Sequence, residues 1–165
     1  CQVRITSIAL LHETLHRSHD LSRIKMGDYI RTLTGHLFRS YGVDPNLISL
    51  ELNVDDVEFD IDTGLTCGLI IDELVSNCLK HAFIDDNGGT VHIDLLDHVD
   101  GTFTLCVSDN GIGIPKDGVL NNPDSLGLEL VTLLAEKLDG STELRSGAGT
   151  EWQIRFQQLQ YSERV

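Results

Sequence analysis

Between residues 90 and 156 the chain twice repeats one arrangement: two alternating apolar–polar runs joined by a tight turn. TVHIDLLD (90–97) and TFTLCVSD (102–109) flank Asp100-Gly101, and STELRS (141–146) and TEWQIRF (150–156) flank Gly147-Ala148-Gly149. Alternation puts every second side chain on one face of a strand, and a short turn makes consecutive strands antiparallel neighbours. Between the pairs lies SLGLELVTLLAEKL (125–138), whose apolar spacing predicts a helix stopped by Asp139-Gly140. Hairpin, helix, hairpin is not the order of a doubly wound parallel sheet. It predicts an α+β fold: a two-layer α/β sandwich with a mixed, mostly antiparallel sheet and helices on one face.

The first half fits this frame. Leu65, Leu69, Leu74, Cys78 and Ala82 give a core stripe to a helix over 63–83, widened by Ile70, Ile71 and Val75. Tyr29, Ile30, Leu33, Leu37 and Phe38 predict a helix over 27–41, ended by Gly42 and Pro45; Ile5, Ile8, Ala9, Leu11 and Leu15 predict another over 2–17. ISLELNV (48–54) reads as a strand and VEFDI (57–61) as a second, short one. Residues 110–124 read as a loop and the tail after 157 as frayed.

With 165 residues, 41% of them hydrophobic, the chain can bury a core without disulfides or a structural metal. The cysteines at 1, 67, 78 and 106 lack the spacing of a zinc site and read as small hydrophobes in a reducing compartment. No apolar run is long enough for a membrane helix, and no secretory signal is visible. The chain opens on CQVRITSIALLHETLH, within a helical pattern, so a fragment cut inside a helix is expected. A net charge of −14 argues against nucleic-acid partners and anionic membranes and fits a cytoplasmic protein. It also means that a site for a phosphorylated ligand must use backbone amides, helix ends and a cation.

Three segments could carry such chemistry. On the long helix, Glu73, Asn77 and His81 recur every fourth residue with Lys80 close by, so a carboxylate and an amide oxygen share one face. These are hard oxygen donors of the kind Mg²⁺ accepts, with water and phosphate completing its shell. Asp109-Asn110-Gly111-Ile112-Gly113-Ile114-Pro115 follows a strand; the two glycines permit a tight turn and a close ligand. Ser125-Leu126-Gly127-Leu128 opens a helix, where free amides and the helix dipole favour an anion. Taken singly, each also reads as something ordinary: a solvated helix face, a loop after a strand, an N-cap.

Together, in this order, they resemble the catalytic, ATP-binding domain of sensor histidine kinases, in the GHKL (Bergerat-fold) ATPase superfamily. ELVSNCLKHAF (73–83) resembles the N box, SDNGIGIP (108–115) the first glycine box, SLGLELV (125–131) the second, and GAGTEWQIRF (147–156) the closing glycine–threonine strand. The resemblance covers roughly residues 45–157. The subgroup with an ELVSNxLKHAF N box and no F box extends it, because its preceding segment is similar to ALLHETLHRSHDLSRIKMGDYIRTLTGHLFRSYGV (9–43).

The resemblance implies a division into residues 1–42, the end of a dimerisation hairpin with a connecting helix; 43–158, the ATP-binding domain; and 159–165, a tail. It implies ATP and Mg²⁺ as ligands. Asn77 would ligate the metal, and Glu73 would bind it through water or polarise the reacting groups. Lys80 and His81 would lie near the phosphates, and Asp109 would accept a hydrogen bond from the adenine amine. Gly111, Gly113 and Ile114 would shape the pocket and lid. Ser125, Leu126, Gly127 and Leu128 would line the phosphate end, with Ser125 standing where many relatives carry glycine. Thr150 would back Asp109. Since guanine offers a carbonyl where adenine offers a donor, a buried Asp109 should discriminate by roughly 10⁴-fold.

The family's acceptor motif of the His-His-Arg kind is absent. His12, His16 and His19 remain near the start, and the resemblance places His12 in the hairpin's second helix. The phosphorylated histidine is therefore expected outside this chain, in a homodimeric protein that passes the phosphoryl group to a response-regulator aspartate. Two other readings use the same fold: an anti-sigma-factor serine kinase, and a degenerate docking or dimerisation module. The two leading helices speak against the first, and intact Glu73, Asn77, Asp109 and Gly127 against the second.

Overall fold

The computed structural model describes residues 8–10, 13, 22–83, 87–113 and 125–158. Residues 8–10 and 13 are helical; the rest of the expected first helix, with His12 and His16, lies outside the described residues, as do His19, residues 114–124 and the tail after 158. The elements are β1 (Arg23–Lys25), α1 (Met26–Ser40), β2 (Ile48–Val54), β3 (Glu58–Asp60), α2 (Ile61–Asn77), a π-helical turn (Cys78–Ala82), β4 (Gly89–Asp97), β5 (Thr102–Asp109), α3 (Ser125–Lys137), β6 (Ser141–Gly147) and β7 (Gly149–Gln157).

Five strands form one sheet in the order β2-β4-β5-β7-β6. β2 and β4 run parallel, and the other pairs are antiparallel. Alternation sets the inner face. Val91, Ile93 and Leu95 of β4 lie beside Phe103, Leu105 and Val107 of β5 and Ile154 and Phe156 of β7, all buried. Against them pack Cys67, Ile70, Ile71, Leu74 and Val75 of α2, and Val131 and Ala135 of α3. Burying side chains of this size contributes about 1.5–3 kcal/mol each.

The sequence expectation for 57–61 is met by a strand, but β3 stands outside the main sheet. It pairs antiparallel with β1, and Met26 N donates to Val57 O at 3.0 Å. The apolar face of α1 (Met26, Tyr29, Ile30, Leu33, Leu37) is fully buried. Tyr29 fits because residue 68 is glycine: a Cβ there would lie 2.3 Å from the phenolic oxygen.

Local chemistry fixes the ends. The Asp60 side chain caps α2 by accepting from Thr63 N at 3.3 Å, an interaction worth about 1 kcal/mol in helices generally. α1 closes in a Schellman motif: Gly42 has φ +61°, its N–H donates to Arg39 O, and Val43 N donates to Phe38 O. After α3 the left-handed residue is Asp139 (φ 52°) rather than Gly140. Gly140 is needed for space, since a Cβ would meet Arg155 O at 2.7 Å.

Candidate functional site

The inward-facing residues of β5 are apolar until the last. Phe103, Leu105 and Val107 are followed at the same spacing by Asp109, which is 9% exposed. Burying a carboxylate requires donors, and two are present. Cys78 Sγ donates to Oδ2 at 3.2 Å, and the Gly111 backbone N–H donates to Oδ1 at 2.9 Å. Burial first, and then the neighbouring Asp109 charge and hydrogen bond, push the Cys78 thiol pKa far up, so it remains a donor.

The loop after β5 is tied on both sides. Ile112 N donates to Ala82 O at 3.0 Å, and a Cβ on Gly111 would lie 2.2 Å from that same oxygen. Gly113 (φ +75°) passes the β6–β7 turn, where a Cβ would meet Gly147 O at 2.7 Å. Gly149 (φ +137°) lets β7 press onto β5, since a Cβ would be 2.1 Å from Asp109 O. Thr150 is the cross-strand partner of Asp109. Asn110 continues the sheet edge, with Oδ1 accepting from Thr90 N at 2.7 Å.

Glu73 and Asn77 lie one turn apart on α2, both partly buried. Gly127, the third residue of α3, passes directly over Glu73: a Cβ there would stand 2.7 Å from Oε2. A carboxylate beside a helix start is favoured by the dipole. Leu128 is half-buried beside it; for Ser125 and Leu126 only the helical backbone is described.

The expected single face carrying Glu73, Asn77 and His81 is interrupted. α2 ends at Asn77, and Cys78–Ala82 wind as a π turn, whose wider hydrogen bonding rotates later side chains out of phase. Lys80 is exposed, with Nζ 6.0 Å from the centroid of the Tyr41 ring at the end of α1; His81 is exposed as well. The structure thus gathers Asp109, Gly111, Gly113 and Thr150 at one pole and Glu73 and Gly127 at the other, with Asn77 on α2 between Glu73 and Cys78. Lys80 is turned towards α1.

The sequence reading counted Cys78 only as core. The signal that could have found it was the pair of conflicting roles at one depth: a core-phase cysteine one residue after Asn77, and a carboxylate ending an apolar alternation. Among the described residues, no group of three or more His, Cys, Asp or Glu is placed to hold a metal unaided. None of the described helices is long and apolar enough to cross a membrane.

Known proteins repeat this layout. The profile of the family described as "Histidine kinase-, DNA gyrase B-, and HSP90-like ATPase" matches residues 64–160, and a second, described as "Histidine kinase", matches 1–41. The chain belongs to the first family. Among its relatives, the sensor histidine kinase PdtaS of Mycobacterium tuberculosis is 32% identical over 92% of this chain, and the blue-light-activated histidine kinase 2 of Erythrobacter litoralis is 31% identical over 62%. The chain spans 30% of the length of these curated relatives. Among solved structures, the histidine kinase domain of the Erythrobacter litoralis EL346 blue-light-activated kinase superposes with a TM-score of 0.82 over 94% of this chain and 73% of its own, at 24% identity. A mycobacterial sensor histidine kinase, MprB, gives 0.65 over 83% of this chain and 98% of its own, at 19% identity. At those identities the likeness shows the fold.

Proposed function

We propose that this chain binds Mg-ATP and forms the ATP-binding catalytic part of a two-component sensor histidine kinase. The observation that carries the reading is the Asp109 carboxylate, buried at the end of β5 under the glycine loop and held by two donors. A carboxylate has about four lone-pair sites. Two are used, and those remaining can accept from the 6-amino group of adenine, where guanine presents a carbonyl oxygen instead. Asn77 and Glu73 are suited to a magnesium ion, which asks for one or two protein oxygens. Its charge would offset the repulsion between phosphates arriving at α3 and the Glu73 carboxylate beside Gly127.

In this reading Gly127 and Leu128, with Ser125 and Leu126, hold the phosphates through helix-start amides. Gly111 and Gly113 form the pocket rim, which the family resemblance would extend to Ile114, and Thr150 backs Asp109. Lys80 and His81 would serve the phosphates after a side-chain rearrangement. Such a site can do what phosphoryl transfer asks, which is positioning and charge neutralisation. The γ-phosphoryl group passes to an imidazole nitrogen of a histidine outside this chain, the β–γ bridging oxygen leaving with ADP, and then to an aspartate of a response-regulator receiver domain. The intact protein would be a homodimer acting in the cytoplasm, where ATP is supplied.

Thermal unfolding with Mg-ADP, Mg-GDP and an Asp109→Asn variant tests this. Ligand at a hundred times its dissociation constant adds about 2.7 kcal/mol, and each kcal/mol moves the midpoint of a domain this size by roughly 2–4 °C. The expected result is a rise of several degrees with Mg-ADP alone, lost in the variant. No shift with any nucleotide in a folded sample overturns the reading.

A further inference from the structure

We propose that Cys78 is a specificity-determining positioning residue, whose thiol sets the plane in which Asp109 meets the purine. The proposal rests on the adenine reading above and adds to it a residue outside the carboxylate–glycine set.

The two donors on Asp109 differ in kind. Gly111 lies two residues downstream, so its N–H closes a local turn and travels with the loop. By itself it leaves the carboxylate free to pivot about Oδ1. Cys78 comes from another element, 31 residues away, and reaches the other oxygen at 3.2 Å. It opens the π turn, directly after Asn77, and is 8% exposed. The contact therefore references the base-reading carboxylate to the helix that carries Asn77 and Glu73. One peptide bond separates the residue that orients Asp109 from the residue offered to the metal, so the two ends of the nucleotide are measured from one frame. Hydrogen bonds to a charged acceptor are stronger than neutral ones, which makes a normally weak thiol donor consequential here.

The test is equilibrium binding of Mg-ADP and Mg-GDP to the unmodified chain and to Cys78→Ala, Cys78→Val, Cys78→Ser and Asp109→Asn, with thermal melts to establish that each is folded. Alanine leaves a gap and valine fills it, yet both remove the donor. Each should weaken Mg-ADP by roughly five- to tenfold, the effect of one lost hydrogen bond, and shrink the ADP-over-GDP preference by a similar factor. Serine restores a donor and should return both quantities to within about twofold of the unmodified chain. A residue that only packs would lower the melting temperature and weaken both nucleotides alike, leaving their ratio unchanged; that result overturns the proposal. So does unaltered Mg-ADP binding in the alanine and valine variants while Asp109→Asn loses it, which removes Cys78 and leaves the adenine pocket standing. Mg-ADP binding that survives Asp109→Asn overturns the adenine reading and the role of Cys78 together.

Discussion

The two ends of β5 present the same face of the same strand to two different surroundings. At its start, Phe103 is 8% exposed and sits in an aromatic triad, 4.8 Å edge-on from Phe59 and 5.7 Å in a stacked arrangement from Phe156. At its end, Asp109 is 9% exposed and held by a thiol and an amide. Burial is nearly equal, but its energetics are opposite. The rings gain from leaving water, at roughly 0.5–1.5 kcal/mol per aromatic pair beyond area burial. The carboxylate loses hydration, and its hydrogen bonds only compensate. The aromatic end is where the fold stores stability, and the carboxylate end is where it keeps an unfinished set of acceptors.

The sharpest way to break this contrast is to swap what is lost at each end. Phe59→Ala should cost about 3–5 kcal/mol in urea unfolding, with the Mg-ADP to Mg-GDP affinity ratio unchanged wherever the variant remains folded. Asp109→Asn should do the reverse, moving stability by about 1 kcal/mol while abolishing nucleotide preference. Six residue steps along the strand separate Phe103 from Asp109 by about 20 Å, so in the double variant the stability changes should add within about 0.5 kcal/mol. A larger coupling would mean that the ends are not independent.

A smaller effect sharpens the same comparison by pH. Burial raises the thiol pKa of Cys67 and Cys78, and that of Cys106 to about 12, from an ordinary 9.0. The folded state therefore favours the protonated forms. Their contribution is fully present below the unfolded value and is lost as pH rises towards the folded values. Urea midpoints should hold level from pH 7 to about 9 and fall above it. Mg-ADP should raise the midpoints by a similar amount from pH 7 to about 9, because it stabilises only the folded state. No rise with nucleotide at any pH would count against the Asp109 end being the ligand site.

Much of this arrangement can be read from the residues. Period-two alternation fixes the inner faces of β4, β5 and β7, and the same alternation reaching Asp109 announces a buried carboxylate. Turn chemistry fixes both hairpins. What stays hidden depends on partners far along the chain or on shifts within one turn. β1 has three residues, too short an alternation to stand out in the sequence; it exists because β3 lies alongside. The parallel match of Ile48 with Gly89 joins segments that no local signal relates. The π turn changes hydrogen bonding without changing composition, so a stripe continued through Cys78 and Ala82 gives the right core residues but does not show Lys80 coming within 6.0 Å of the Tyr41 ring.

The seat of Tyr29 over Gly68 has a mechanical consequence. The phenol occupies the space where any other residue at 68 would place its first carbon, and β1 is laced to β3 just ahead of it. α1 cannot slip along α2 by even one residue, a step of about 1.5 Å, without driving the ring into a neighbouring side chain. The two helices are thus registered at this point, and α2 carries Glu73 and Asn77 towards its far end. The contact works as a keyed coupling rather than a hinge.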